Sequence, residues 1–149
     1  MPEHLHRIRP LILDDYDRLL ALWQRAGLRS LRLDGRDSRS ALEGQLASGV
    51  ETVLGLEIDG RLVGALIATH DSRKGWINRL VVDPAYRCRG YATHLVEAAE
   101  ALLHAQGMHV IAALVEHDNP DSLALFRKAG YVELDGGIHY LTKRDSPES

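Results

Sequence analysis

The chain has 149 residues, 45% of them hydrophobic and 26% charged, the size and make-up of one globular domain able to bury a core. A formal net charge of −3 excludes a general nucleic-acid binder, and a single cysteine, Cys88, excludes an internal disulfide framework and a cysteine-based zinc site. No apolar run approaches the ~18–20 residues of a membrane span, and the opening Met1-Pro2-Glu3-His4 lacks the apolar stretch of a signal peptide, so a cytoplasmic protein that engages no membrane is expected.

Residues 4–9 read as an opening strand that stops before Pro10. Asp14 is the expected cap of a helix whose apolar stripe comprises Leu19, Leu20, Leu22, Trp23 and Ala26 and which ends at Gly27. A weaker helix starts at Asp37 or Ser38, includes Leu42 and Leu46, and stops at Gly49. Residues 52–58 and 61–70 are rich in β-formers and flank Asp59-Gly60, a strong hairpin signal. After a turn over residues 71–75 comes a strand over 76–82; Pro84 then has no N–H to give to a ladder.

From Gly90 the period changes. Ala92, Leu95, Val96, Ala99, Leu102 and Leu103 fall at helical spacing, and Gly107 ends that helix. Residues 109–115 are almost wholly apolar, which suits a strand covered on both faces. Asn119 and Pro120 are the cap and first turn of a last helix that carries Leu123, Leu125 and Phe126 and ends at Gly130. Residues 131–134 and 138–143, joined by Asp135-Gly136-Gly137, read as a closing hairpin, and residues 144–149 as a frayed tail. With no repeat, linker or low-complexity stretch, residues 1–149 read as one α/β domain, a mixed, mostly antiparallel sheet flanked by helices on both faces.

The informative stretch runs Leu80-Val81-Val82-Asp83-Pro84-Ala85-Tyr86-Arg87-Cys88-Arg89-Gly90-Tyr91-Ala92-Thr93, a strand, a turn and a small-residue loop that opens a long helix. The first N–H groups of a helix have no internal acceptor and sit at the positive end of its dipole, so this arrangement suits a phosphate. Gly90 permits close backbone approach, Ala92 keeps bulk low, and Arg87 and Arg89 add positive charge. No Gly-Lys-Ser/Thr follows, and the glycine triplet of dinucleotide sites is absent, so neither of those phosphate motifs is present.

The segment Arg87-Cys88-Arg89-Gly90-Tyr91-Ala92 resembles the acetyl-CoA signature of the GNAT superfamily of N-acetyltransferases, Arg/Gln-x-x-Gly-x-Gly/Ala. Leu80 to Pro84 resembles that family's preceding strand and turn, and Asn119 to Tyr131 its second cofactor motif; the element order matches from about Arg7 to Lys143. The resemblance implies a GNAT-like fold and transfer of an acetyl group from acetyl-CoA to a primary amine, on a small molecule, a protein N-terminus or a lysine, by direct attack in a ternary complex. It places the pantetheine arm and acetyl carbonyl against the main chain of Leu80, Val81 and Val82, and the pyrophosphate on the amides of Cys88 to Thr93. Asn119, Ser122 and Phe126 would lie towards the pantetheine end. Many relatives have a tyrosine seven residues after the Asn, credited with protonating the departing thiolate; here Phe126 stands there and cannot do so.

Bland alternatives accompany these assignments. Glu116 and His117 end an apolar strand beside the expected acetyl site, where either is a candidate base for the amine; solvated strand-end residues are the alternative. His139 and Tyr140 alternate faces on the last strand, and Tyr140 is a candidate acid. Cys88 is read as incidental rather than nucleophilic, and His70 and Asp71 as a turn rather than an acceptor site. The eight histidines lack metal-ligand spacing, so no metal is expected. Homodimerisation stays open. A non-catalytic acyl-CoA binding or sensing module is the alternative function, and a mononucleotide-binding α/β protein a more distant one.

Overall fold

The computed structural model describes residues 6–149 and forms one sheet in the order β1 (His6–Pro10), β2 (Glu51–Ile58), β3 (Arg61–His70), β4 (Gly75–Val82) and β5 (Ile111–Ala113). The first four strands pair antiparallel and β5 joins β4 in parallel. The β2–β3 hairpin has the predicted turn: Asp59 and Gly60 take φ of 50° and 82°, and Ile58 faces Arg61 across it. A parallel neighbour needs a long crossover, and α3 (Tyr91–Ala105) supplies it between β4 and β5. The other helices are α1 (Tyr16–Arg25), α2 (Arg39–Ala47) and α4 (Pro120–Lys128).

Helices cover both faces of the sheet, as expected. On one face Leu95, Ala99 and Leu103 of α3 and Phe126 of α4 pack on Leu56, Leu66 and Ile77. On the other, Leu19, Leu22 and Trp23 of α1 and Leu42 of α2 pack on Val53, Leu62 and Val81. At ~1.5–3 kcal/mol for each large apolar side chain buried, these two clusters hold the helices against the two faces of the sheet.

Several expectations are corrected. β1 continues through Pro10, which faces Leu54, because the edge of the sheet asks no N–H of it; His4 and Leu5 lie outside the described residues. Asp14 is exposed and caps nothing. Instead Asp15 accepts from the Ile12 amide at 2.9 Å at the foot of a short 3-10 turn, and is held by Arg9 and Arg18. Ser38, rather than Asp37, caps α2 by accepting from the Ala41 amide.

The strand expected over 109–115 is reduced to Ile111–Ala113, half-buried, with Val110 and Leu114 exposed beside it. It pairs with β4 alone and forms the edge of the sheet. The closing hairpin is not formed. Gly136 and Gly137 turn as predicted, with φ of 84° and 74°, but Val132, Leu134, Ile138 and Leu141 are exposed and no ladder joins them. A two-stranded hairpin with no apolar surface beneath it is marginal in water. Residues 144–149 return to the α1–α2 connection, where Arg36 Nη1 donates to the Ser149 main-chain oxygen at 3.2 Å.

Candidate functional site

β4 and β5 are in register only at Gly75–Ile111, Trp76–Ala112 and Ile77–Ala113. Beyond these pairs the strands part, and the outer main-chain edge of β4 from Asn78 to Val82 has no strand beside it. The inner edge slips as well. Gly64 faces Val82 and Ala65 faces Val81, but Ile67 faces Asn78, so Leu66 stands opposite both Arg79 and Leu80. This is a β-bulge, and Arg79 takes φ of 52° to make it, a conformation that costs an ordinary L-residue ~1–2 kcal/mol.

The bulge reverses the facing of β4. Ile77 packs beneath α3, and a regular strand would put Arg79 and Val81 on that same side. Instead Arg79 lies over the Trp23 ring of α1 at 5.0 Å, Val81 joins the α1 cluster, and Leu80 turns towards α3. The Arg79 guanidinium grips buried Asp37 in a two-pronged pair, Nη1 to Oδ1 and Nη2 to Oδ2, the latter at 2.9 Å. Asp37 Oδ2 also accepts from the Arg32 amide at 2.7 Å. Sequence reading missed Arg79 and Asp37. No local signal in the sequence singles them out: that Ile77 and Leu80 share a face three residues apart, where a regular strand allows two or four, appears only once the strand is folded.

The end of β4 is fixed by Asp83. Its amide donates to the Val63 carbonyl at 2.7 Å, its Oδ1 accepts from the Ala85 amide, and its Oδ2 from Arg25 Nε, both at 2.9 Å. Burial alone would raise the Asp83 pKa, but the Ala85 hydrogen bond and Arg25 together bring it below the usual carboxylate value.

The loop that follows carries the predicted phosphate-binding residues. Arg87, Cys88, Arg89, Gly90 and Thr93 are exposed, and Tyr91 and Ala92 half-buried. Cys88 and Gly90 take φ of 62° and 82°, so the chain turns sharply into α3. A Cβ at Gly90 would touch nothing within 4 Å; its left-handed backbone, rather than crowding, calls for glycine. No side chain caps α3. The amides of its first turn therefore have no acceptor within the helix and no side-chain cap, one short loop after the open edge of β4. Arg87 Nε donates to the Val82 carbonyl at 3.3 Å, and the Arg89 guanidinium lies over the Tyr86 ring at 5.4 Å.

Across the opening, β5 runs into Glu116 and His117, both exposed, and the Asn119 amide closes a turn on the Glu116 carbonyl at 3.0 Å. Asn119 caps α4, its Oδ1 accepting from the Ser122 amide at 3.2 Å, which leaves its Nδ2 for other partners. Arg29, from the segment between α1 and α2, pairs with Asp118 at 3.6 Å.

Two expectations fare differently. Phe126 is 6% exposed, belongs to the cluster beneath α3 and meets the Tyr131 ring edge-on at 5.0 Å. Tyr140 is 77% exposed on a segment without strand pairing, so the face alternation expected of it and His139 does not arise. His70 Nδ1 and Asp71 Oδ1 accept from amides of their own turn. Among the described residues no group of His, Cys, Asp and Glu is placed to hold a metal ion, and no helix is long and apolar enough to cross a membrane.

Comparison with known proteins bears on this geometry. The sequence pattern of the acetyltransferase (GNAT) family matches residues 9–131. An acetyltransferase of Sodalis glossinidius is 31% identical over 131 residues, 88% of this chain and 89% of that one. One of Pectobacterium atrosepticum is 30% identical over 122 residues, 82% of this chain and 84% of that one. Among solved structures, the PaiA N-acetyltransferase of Thermoplasma acidophilum in complex with coenzyme A superposes with a TM-score of 0.76 at 20% identity, over 89% of this chain and 94% of that one. The aminoglycoside N-acetyltransferase AAC(6')-Iy with a bisubstrate analogue gives 0.77 at 18% identity, over 94% and 99%. These two show a shared fold.

Proposed function

The chain belongs to the acetyltransferase (GNAT) family and is an acetyl-CoA-dependent N-acetyltransferase, and from that premise we propose where and how this molecule performs the transfer. The observation that carries the proposal is the parting of β4 from β5 after Ile77, which leaves the Asn78–Val82 edge open one short loop before the uncapped start of α3.

In this reading the pantetheine arm pairs, as an added strand would, with the main-chain groups that Leu80 to Val82 present on the outer edge of β4, taking the place of Arg87 Nε at the Val82 carbonyl. The pyrophosphate rests on the amides from Cys88 to Thr93, with Arg87 and Arg89 beside it. Ser122 and the free Nδ2 of Asn119 lie on the α4 side of the arm. A main-chain N–H at the bulge polarises the thioester carbonyl, and negative charge that develops on its oxygen during attack strengthens that hydrogen bond. The neutral amine attacks the carbonyl carbon, the C–S bond breaks, and the amine loses its extra proton. An alkylamine with pKa near ~10 is mostly charged at neutral pH, so a base is needed. Glu116 or His117 takes this part, reaching the amine through water. The thiolate of coenzyme A, from a thiol of pKa near ~8.5, leaves without obligatory protonation. Water supplies the proton, a reading supported by the burial of Phe126 in an apolar cluster and the exposure of Tyr140 on an unpaired segment.

We place the enzyme in the cytoplasm. The acceptor is a primary amine, and because the aminoglycoside acetyltransferases share this fold, amino sugars belong in the first panel with polyamines, peptide N-termini and lysines. The test is release of free thiol from acetyl-CoA on addition of each amine. Tight acetyl-CoA binding with no thiol release from any of them would support an acyl-CoA sensing role instead.

A further inference from the structure

Among the described residues four non-glycine residues have positive φ: Asp59, Ser72, Arg79 and Cys88. Three of them sit in turns or the phosphate loop, and Arg79 alone lies within a strand among the described residues. Arginine has no short polar side chain with which to support a left-handed backbone locally, as Asn or Asp can. The conformation is therefore imposed by what the side chain reaches. It reaches Asp37, which is 5% exposed, with two nitrogens, the Ser30 carbonyl at 3.4 Å, and the face of Trp23. A two-pronged guanidinium–carboxylate pair is directional as well as attractive, so it fixes an angle and not merely a distance.

The consequence falls on the next residues. The reversal of facing at Arg79 is what aims the main-chain groups of Leu80 to Val82, and the segment that holds Asp37 continues to Arg29 and its pair with Asp118 on the far side of the opening. The bulge and the segment that spans the cleft are thus tied at one guanidinium.

We propose that Arg79 is a positioning residue for the acyl donor: gripped by Asp37 and Trp23, it holds the left-handed bulge that sets the Leu80–Val82 edge. This rests on the assignment of that edge as the acyl-donor site. If Arg79 acts through backbone conformation, glycine, which adopts positive φ without cost, should replace it functionally, although glycine makes none of its contacts.

The experiment compares Arg79→Ala, Arg79→Gly and Arg79→Lys by acetyl-CoA calorimetry and thermal melting. Both Arg79→Ala and Arg79→Gly lose the ion pair and should melt below the wild type. Acetyl-CoA binding should weaken about tenfold or more in Arg79→Ala and stay within about threefold of wild type in Arg79→Gly, given how steeply misplacement of a site is felt. A merely structural arginine predicts equal binding by the two, and that result overturns the proposal. Should Arg79→Ala fail to fold, Arg79→Lys, which keeps a Cβ and a charge but not the fork, takes its place under the same criterion. An Arg79→Gly protein that fails to fold while Arg79→Lys folds also overturns it. Gly90→Asp in the wild-type background separates the two assignments: if it leaves acetyl-CoA affinity unchanged the donor site itself is misplaced, whereas lost affinity there with equal Arg79→Ala and Arg79→Gly binding defeats the positioning role alone.

Discussion

Phe126→Tyr puts the assignment of the leaving-group step to the test. Family resemblance sets Phe126 where a tyrosine would protonate the thiolate, but the structure buries it to 6% exposure among Leu95, Ala99 and Leu103, with the Tyr131 ring edge-on at 5.0 Å. The neighbouring hydroxyl is already engaged, since Tyr131 donates to Glu100 at 2.9 Å. A new hydroxyl at 126 therefore enters an apolar cluster without a partner. Such a group costs ~1–3 kcal/mol, and at ~2–4 °C per kcal/mol for a domain of this size the melting temperature should fall by roughly 2–12 °C. Turnover should be unchanged or lower. The assay is a melt and a thiol-release rate on the same preparation. A variant that melts with the wild type and turns over faster would refute the reasoning, because its hydroxyl would then have found a polar site beside the sulfur.

Gly90→Asp forces a side chain onto a φ of 82° and puts negative charge at the start of α3; acetyl-CoA affinity should drop at least about tenfold, ~1.4 kcal/mol, by calorimetry, with the circular dichroism spectrum intact. Glu116→Gln should lower kcat by ~10²-fold at neutral pH if Glu116 is the base, with the loss shrinking as pH approaches the amine pKa; a pH-independent loss would indicate positioning, and no loss would move the role to His117. Asp15→Asn tests the acid side of stability. The Arg9 hydrogen bond chiefly, against the opposing effect of burial and with help from the Ile12 amide and Arg18, holds the Asp15 pKa well below its ordinary value. A depressed folded-state pKa adds stability that is fully present above the unfolded value near ~3.9 and is lost progressively as pH falls from there through the much lower folded value. The substitution should therefore cost ~1–3 kcal/mol in urea melts at pH 7, keep most of that cost at pH 3 and lose it only in stronger acid, and a cost that does not shrink on further acidification would remove Asp15 from the acid transition.

Where a local rule decided the structure, the sequence was legible. Asp59-Gly60 allows few turns besides the one observed, and Asn119 caps the helix that Pro120 begins. Long-range pairing was not legible in the same way. Residues 109–115 and 131–143 have the composition of strands, but a strand exists only where a neighbour offers its edge, and β4 offers one for three residues before the bulge turns it away. The bulge is the instructive case, because nothing in Trp76-Ile77-Asn78-Arg79-Leu80-Val81 marks it locally: there is no glycine, and each residue suits a regular strand. What makes it is Asp37, forty-two residues earlier in the chain, whose buried carboxylate has Arg79 as its only side-chain cation among the hydrogen bonds and ion pairs described. Leaving either charge buried without the other would cost more than the strained backbone does. Within a family fold, then, the motif that announces the cofactor is local, whereas the geometry that would present the thioester depends on a distant pair that no motif contains.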